Sequence, residues 1–274
     1  MPERAYLVAA DQGDGLAGRR LVHRYGPNVH ILSDPWALSV LARLSHPDVR
    51  PPIFHDLLRA CYERLLHGVC EQLVLTDATT RTRMTAAEGV PFVGTVYDPH
   101  QNVVVVDIAR AGMIPSHILQ MALLRFLDPD AVRIDHIYMQ RVSGPDGAVL
   151  GVETSGSKIG GPVGGATILI PDPMAATGSS ISYVADMYRE KLDGRPRKIV
   201  MCHLMVTPEY LRAITSRFPD VYIYALRLDR GMSPPEVLET VPGTHWDRER
   251  GLNGNGYIVP GAGGLGEIIN NAFV

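Results

Sequence analysis

The stretch ILIPDPMAATGSSIS, residues 168–182, decides the fold of this chain. Its apolar start, with the preceding Thr167, predicts a buried strand, because a short apolar run bounded by turn residues is typical of one. The prolines on either side of Asp172 exclude a helix and predict a loop. Beyond the loop, apolar residues return at helical spacing: Tyr183, Val184, Met187 and Tyr188. The stretch therefore predicts a strand, a loop of small residues and the start of a helix.

The small residues of this loop predict a pocket for a phosphate group. At such a junction, backbone N–H groups and the positive end of the helix dipole point at one spot. Gly178 lacks the Cβ that would block close approach, and hydroxyl groups nearby add donors: Thr177, Ser179 and Ser180, after Ala176. Asp172, at the carboxyl end of the strand, could accept hydrogen bonds from ribose hydroxyls. The alternative is a turn that only caps the helix, as many small-residue turns do.

Several other nucleotide-binding and catalytic motifs are absent from the sequence. No G-x-x-x-x-G-K-[ST] run is present, and no G-x-G-x-x-G lies between a predicted strand and helix, which excludes both phosphate-loop fingerprints. The ten histidines form neither H-E-x-x-H nor a zinc-type spacing with cysteine. No G-x-S-x-G elbow occurs, so a hydrolase triad is not expected.

The composition is that of an ordinary globular protein. The chain has 274 residues, of which 46% are hydrophobic and 20% charged. Its formal net charge of -3 argues against nucleic acid as a partner. Three scattered cysteines, with no secretory signal at the N-terminus, favour a reducing cytoplasm. No apolar run reaches the length of a membrane span.

From Val103 onwards, apolar runs alternate with helical patterns, which predicts an α/β fold. A mostly parallel sheet with helices on both faces is expected, because its strands are continuously apolar. The predicted strands are Val103–Ile108, Val132–Tyr138, Thr167–Ile170, Lys198–Val206 and Val221–Leu228. The predicted helices are Pro115–Leu127, Ser179–Lys191 and Pro208–Arg217. Ligands of such sheets bind beyond the carboxyl ends of the strands.

The N-terminal third divides into an arm and the start of the domain. Residues 1–30 are predicted to be an N-terminal arm, and residues 31–274 one domain. Asp34 followed by Pro35 is typical of a helix start. An apolar stripe predicts a long helix over His55–Leu75. Residues 139–166 are rich in glycine and predict a hairpin or a mobile flap.

Two further loops suit a phosphorylated ligand. Arg110 follows the strand that starts at Val103, next to Ala111 and Gly112, and its guanidinium could hold a pyrophosphate bidentately. The alternative is an arginine paired with a surface carboxylate. Near the C-terminus, seven glycines fall between residues 251 and 266. Their backbone could approach a flat base closely, or could form a tight turn without a ligand.

At these three loops the chain resembles the uracil phosphoribosyltransferases, which have the type I phosphoribosyltransferase fold. The family patterns DPMLATGGS, LRAG and LN-x-x-GYIVPGLGDAGD are similar to DPMAATGSS (172–180), ARAG (109–112) and LNGNGYIVPGAGG (252–264). The motifs stand in the same order in both. The likeness runs from Asp34 to Glu267 and leaves out the arm.

The resemblance implies a reaction, in which phosphoribosyl pyrophosphate and uracil give UMP and pyrophosphate. It implies Mg²⁺ bound with phosphoribosyl pyrophosphate, no direct protein ligand for the metal, and a homodimer. The implied catalytic residues are Asp172, Arg110 and Arg141. Phosphoribosyl pyrophosphate would bind to Arg110, Ala111, Gly112, Asp172, Ala175, Ala176, Thr177, Gly178, Ser179 and Ser180. The base would bind to Met174, Tyr257, Ile258, Gly263 and Leu265.

The chain departs from the family pattern at two places. The first aspartate of GDAGD is Gly264 here, and the second is Glu267. The arginine that follows tyrosine before the flap is Met139, unless Arg141 takes its place by a shift of register. Two other functions therefore stay open: a non-catalytic protein that binds nucleotide or phosphoribosyl pyrophosphate, and an enzyme that ribosylates an unusual heterocycle.

Overall fold

The apolar strands form one large sheet in the computed structural model, which describes residues 19–143 and 149–272. The strands are β1 Val29–Ile31, β2 Leu75–Thr80, β3 Phe92–Tyr97, β4 Val103–Ala109, β5 Val132–Ser143, β6 Val149–Lys158, β7 Thr167–Pro171, β8 Met174–Ala175, β9 Lys198–Val206 and β10 Tyr222–Leu228. The order across the sheet is β1-β10-β9-β7-β4-β5-β6, and β8 pairs with β9. All of these pairs are parallel except β5 with β6. The predicted mostly parallel α/β sheet is confirmed.

Helices cover both faces of this sheet. They are α1 Pro35–Leu44, α2 Ile53–Val69, α3 Thr85–Glu88, α4 Met113–Leu123, α5 Ser179–Asp186, α6 Pro208–Arg217, α7 Pro235–Leu238 and α8 Leu265–Asn270. In β4, Val103 and Val105 pack into the core with α1, α2, α4 and α8. Val104 and Val106 alternate to the other face, under α5 and α6. Both faces of the strand are therefore buried, as its unbroken apolar run requires.

Helix boundaries differ from the sequence predictions at three places. Helix α5 was predicted over Ser179–Lys191 but ends at Asp186, and one π-helical turn, Met187–Lys191, follows it. The long helix was predicted over His55–Leu75, but α2 ends at Val69 and one 3₁₀ turn, Cys70–Gln72, follows it. Leu75 instead begins a separate antiparallel hairpin, β2 with β3, which the sequence did not predict. Helix α4, Met113–Leu123, begins two residues earlier and ends four residues earlier than the predicted Pro115–Leu127.

The sheet also includes part of the predicted arm. Strand β1 pairs in parallel with β10 from Val29 onwards, and Leu21 and Tyr25 are buried in the core. Residues 19–30 thus pack on the domain, whereas residues 1–18 lie outside the described chain. The predicted hairpin in 139–166 is present as β5 and β6, with residues 144–148 outside the description. None of the described helices is both long enough and apolar enough to cross a membrane.

Candidate active site

Three loops meet at the carboxyl edge of the sheet. Asp172 directly follows β7, and Arg110 directly follows the neighbouring β4. The backbone of Gly112 lies so close to β7 that a Cβ there would be 3.1 Å from the carbonyl oxygen of Pro171. The C-terminal segment reaches the same place, because a Cβ on Gly266 would be 3.5 Å from the Cβ of Ala111. The edge therefore brings together the three segments that the sequence singled out.

Asp172 is half-buried at the end of β7 and carries a perturbed carboxyl group. Its Oδ1 accepts a hydrogen bond of 3.0 Å from the backbone N–H of Met174. Burial raises the pKa of Asp172 from 3.8 to about 6, and the hydrogen bond from Met174 offsets part of that effect. A carboxylate that costs free energy to bury is well suited to accept hydrogen bonds from a ligand.

His203 on β9 holds the backbone of Asp172 in place. Its Nδ1 donates to the carbonyl oxygen of Asp172 over 2.6 Å, and its Nε2 accepts from the Tyr210 hydroxyl over 2.6 Å. Burial lowers the pKa of His203 to about 4, so the ring is neutral and carries its proton on Nδ1. This role of His203 was not predicted from the sequence, because 31 residues separate the two partners.

The loop predicted to bind a phosphate, called the phosphate loop below, runs from Ala175 to Ser180 and ends at the start of α5. Thr207 anchors it by donating from its hydroxyl to the carbonyl oxygen of Ala176 over 2.6 Å. Gly178 has a φ of 85°, in the left-handed region that glycine tolerates best. Among the described residues, no side chain caps the first turn of α5. Its first N–H groups are thus available for an anion, which keeps the predicted phosphate pocket as a prediction.

Arg110 is exposed beside this loop. In the described part of the chain its guanidinium makes neither an ion pair nor a hydrogen bond, so the alternative of a surface carboxylate partner finds no support there. Its carbonyl oxygen accepts from the side chain of Asn270 over 3.3 Å, which ties the loop to α8. The arrangement leaves a positive charge at the same edge of the sheet as Asp172.

Gly112 offers a direct test of how tightly the Arg110 loop packs. A Cβ there would lie 2.8 Å from both the backbone nitrogen and the oxygen of Ile108. We expect Gly112→Ala to lower the free energy of unfolding by about 1–3 kcal/mol, because the loop must move, and to reduce kcat/KM at least tenfold. Thermal denaturation and steady-state kinetics measure both effects.

Gly164→Ala is the matched control for this substitution. A Cβ at Gly164 meets only ordinary contact, at 3.6 Å from Gly194, and should leave both values unchanged. Equal melting temperatures and kinetics for Gly112→Ala and the control would show that the loop tolerates a side chain.

A buried ion pair holds the C-terminal loop in place. Its arginine, Arg227, lies on β10, and its aspartate, Asp229, directly follows that strand. The Arg227 guanidinium binds both carboxylate oxygens of Asp229, at 2.5 and 2.7 Å. Asp229 accepts from the N–H of Gly261 over 2.9 Å, and Arg227 donates to the carbonyl oxygen of Gly261 over 2.9 Å. This clamp fixes the backbone two residues before Gly263, and the sequence analysis missed it.

The predicted base-binding residues differ in their environment. The side chain of Tyr257 is 57% exposed, whereas Leu265 is only 1% exposed and packs in the core. Ile258 is buried, and Met174 packs at the edge of that same core. A ligand at this loop would therefore contact Leu265 through its backbone, because the side chain is already enclosed.

A second buried carboxylate lies on β4. Asp107 places Oδ2 at 2.7 Å from Nδ1 of His136 on β5, and its Oδ1 is buried without a hydrogen-bond partner in the described chain. Burial raises the pKa of Asp107, and the hydrogen bond from His136 offsets part of this. The described residues contain no group of three or more side chains arranged to hold a metal ion.

Comparisons with known proteins show the family of the chain. The family model described as uracil phosphoribosyltransferase matches residues 31–245. The chain belongs to the uracil phosphoribosyltransferase family. The matched range includes the Asp172 and Arg110 loops and ends before the glycine-rich C-terminal loop. The recognition of the family from its motifs is thereby confirmed.

Individual members of the family align along most of the chain. The uracil phosphoribosyltransferase of Polaromonas naphthalenivorans is 28% identical over 244 residues, covering 88% of this chain and 97% of its own. That of Thermococcus sibiricus is 24% identical over 233 residues, covering 85% of both. The solved AQ2163 protein from Aquifex aeolicus shares the fold, with a TM-score of 0.66, 20% identity, and coverage of 88% of this chain and 97% of that one.

The two departures from the family pattern have different surroundings. At Gly264, a Cβ would overlap the carboxylate of Glu267, which folds back over the glycine from the first turn of α8. The space beside Gly264 therefore already holds an acidic group. Met139 is half-buried and packs against the core under α5. The side chain of Arg141 lies outside the described part of the structure.

Proposed function

We propose that this protein transfers the phosphoribosyl group of phosphoribosyl pyrophosphate to uracil, giving UMP and pyrophosphate. The observation that carries the proposal is the pairing of two loops at one edge of the sheet. Asp172 and the small-residue start of α5 stand beside Arg110, in a chain that belongs to the uracil phosphoribosyltransferase family. The named relatives support uracil as the base.

In this proposal, each loop binds one part of the two substrates. The backbone from Ala175 to Ser180 and the hydroxyls of Thr177, Ser179 and Ser180 bind the 5′-phosphate. Asp172 accepts hydrogen bonds from the ribose hydroxyls. Arg110, with the N–H groups of Ala111 and Gly112, binds pyrophosphate, and Arg141 is proposed to assist it. Met174, Tyr257, Ile258, Gly263 and Leu265 frame the base.

The chemistry is displacement at the anomeric carbon through an oxocarbenium-like transition state. The bond from that carbon to the pyrophosphate oxygen breaks, the bond to N1 of uracil forms, and the N1 proton leaves to solvent. Arg110 stabilises the charge that develops on the leaving group. The clamped C-terminal loop holds the base in line, which lowers the entropy that the reaction must lose.

Mg²⁺ fits this site as a companion of the substrate. Magnesium is commonly held by one or two carboxylates together with substrate phosphates. Asp172 engages only its Oδ1 with the protein among the described residues, so its other oxygen is the candidate carboxylate here, where the family resemblance alone implied no direct protein ligand. When bound, the ion would neutralise charge on the departing pyrophosphate.

The test is formation of UMP from purified protein, phosphoribosyl pyrophosphate, Mg²⁺ and uracil. We expect UMP and an equal amount of pyrophosphate. Turnover with another nucleobase but not uracil would assign the unusual-heterocycle function instead. Calorimetric binding of phosphoribosyl pyrophosphate without turnover of any base would assign the non-catalytic function and refute the enzyme.

We propose that the enzyme is a homodimer that uses the hairpin of β2 and β3. The hairpin stands apart from the main sheet and exposes a group of large apolar side chains: Leu75, Met84, Val90, Phe92 and Val93. Such a patch is typical of a protein interface. Three buried cysteines without disulfides support a cytoplasmic location.

Val93→Glu tests this interface. Val93 is 69% exposed, so the monomer should keep its stability while a buried charge weakens the dimer by at least tenfold. Light scattering should give twice 29.9 kDa for the unaltered protein and a shift toward the monomer for the variant. Met121→Glu, on exposed α4 surface, should remain dimeric. A monomeric unaltered protein would contradict the proposal.

A further inference from the structure

A second cavity lies at the edge of the sheet opposite the candidate active site. It has a volume of about 680 Å³ and is lined by the first residues of β9 and β10, Lys198 and Tyr222. Asp172 and Arg110 instead follow the last residues of their strands. At about 3.3 Å per residue, the length of β9 separates the two sites by roughly 25 Å. The cavity therefore belongs to a different site.

The walls of this basic cavity carry an excess of positive charge. Four basic side chains line it, Arg189, Arg195, Arg197 and Lys198, with two acidic ones, Glu190 and Asp220. One of the acids is already engaged, because Asp220 Oδ1 lies 2.6 Å from Arg189 Nη1. The remaining cations outnumber the remaining acid, so the cavity is suited to a ligand with several negative charges.

Neutral oxygens, and not carboxylates, hold two of these cations in position. Lys198 donates from Nζ to Oε1 of Gln72 over 2.7 Å, and Arg197 donates to the carbonyl oxygen of Gln72 over 2.7 Å. Nζ of Lys198 also lies 4.9 Å from the centre of the Tyr222 ring. The two charges are thus ordered by contacts that leave them without a counter-ion within the described protein.

The pKa values of Arg197 and Lys198 also indicate that the cavity is suited to an anion. Burial lowers the pKa of Arg197, and burial together with the charge of Arg197 lowers the pKa of Lys198. Adjacent cations that repel each other in a partly dehydrated cavity gain free energy when an anion binds between them. Arg195 at the rim is exposed and makes no side-chain hydrogen bond in the described chain, so its five donors are available.

We propose that the basic cavity binds a polyphosphate group, carried either by a free polyphosphate or by a nucleotide. The volume fits a ligand of nucleotide size, since small-molecule sites span about 300–1,000 Å³. Arg195, Arg197 and Lys198 bind the phosphate oxygens, and Arg189 remains with Asp220. This site is independent of the proposed transferase activity, so either proposal can fail without the other.

The test is calorimetric titration of the full-length protein with inorganic tripolyphosphate and, separately, with ATP. We expect saturable binding that weakens with added salt. Arg195→Glu should weaken it at least tenfold, because the change removes one positive charge and adds a negative one at an exposed position. Lys198→Met should weaken it similarly. Equal affinities assign the site to free polyphosphate, and tenfold tighter ATP assigns it to a nucleotide.

Two further variants separate this cavity from the active site and from general charge effects. Arg110→Ala, at the opposite edge, should retain the binding, and so should Arg59→Glu, an exposed arginine on α2. Circular dichroism establishes that each variant is folded. Absence of binding, unaltered affinity in Arg195→Glu, or loss of binding in Arg110→Ala alone would overturn the proposal.

Discussion

Asp172→Asn is expected to lower kcat/KM for phosphoribosyl pyrophosphate by about 100-fold or more. The reason is that a carboxylate accepts hydrogen bonds from both ribose hydroxyls, and each charged hydrogen bond contributes about 1.5–3 kcal/mol. Asparagine keeps one oxygen for the Met174 N–H, which Asp172 accepts in the structure, but offers an amide in place of the second oxygen. Steady-state kinetics with varied phosphoribosyl pyrophosphate measure the loss.

The same substitution should not lower stability, and at neutral pH it should raise it. Burial raises the pKa of Asp172 from 3.8 to about 6 in the folded protein. The folded state therefore binds this proton more tightly than the unfolded state, and ionisation above pH 6 costs folding free energy, about 1–3 kcal/mol at most. That cost is absent at pH values below the pKa of Asp172 in the unfolded chain, because the carboxyl group is then protonated in both states. Asp172→Asn should thus melt higher at pH 7.5 and equally near pH 3.5.

Asp135→Asn is the matched control, because Asp135 is a buried aspartate of the same sheet with a full set of partners. It pairs with Arg133, accepts from the Tyr188 hydroxyl over 2.7 Å, and accepts from the N–H of Gly160 over 2.8 Å. Its substitution should cost about 1–3 kcal/mol of stability and leave substrate kinetics unchanged. Loss of stability without loss of activity in Asp172→Asn would refute the role in ribose binding.

The strands and loops that form the candidate site could be predicted because their signals are local. Continuous apolar runs identified β4, β7 and β9, and each is buried on both faces. The polar or glycine-rich residues directly after β4 and β7 then fall at one edge of a parallel sheet by geometry alone. For this reason Arg110 and Asp172 could be placed at the same edge of the sheet from the sequence alone.

The parts that were missed depend on contacts that a local pattern does not contain. Strands β2 and β3 are largely exposed, so their sequences lack the apolar run of the core strands. Leu73 continued the apolar stripe of α2 although it already lies beyond the helix. His203 and the Arg227–Asp229 clamp act across 31 to 34 residues of sequence. Such pairs become visible only when the sheet brings them together.

Asp229→Asn is expected to have the second large effect, on both stability and base binding. Asp229 is fully buried and is the only carboxylate that pairs with Arg227 in the described chain. Removing its charge leaves the guanidinium in a low-dielectric setting, which costs about 3–5 kcal/mol. The amide oxygen can replace only one carboxylate oxygen. If it keeps the bonds that Oδ2 accepts from Arg227 and the N–H of Gly261, the amide NH2 faces Arg227 Nε, which now donates to Oδ1.

The loop that Asp229 holds should then loosen, and KM for uracil should rise at least tenfold while KM for phosphoribosyl pyrophosphate changes little. The reason is that Gly261 lies two residues before Gly263, which is proposed to bind the base, whereas the phosphate loop is anchored separately by Thr207. Chemical denaturation of single and double variants measures the coupling. Arg227→Met combined with Asp229→Asn should recover part of the lost stability, since no unpaired charge remains, but not the uracil affinity. An unchanged KM for uracil in a destabilised Asp229→Asn protein would mean that the clamp stabilises the fold without positioning the base.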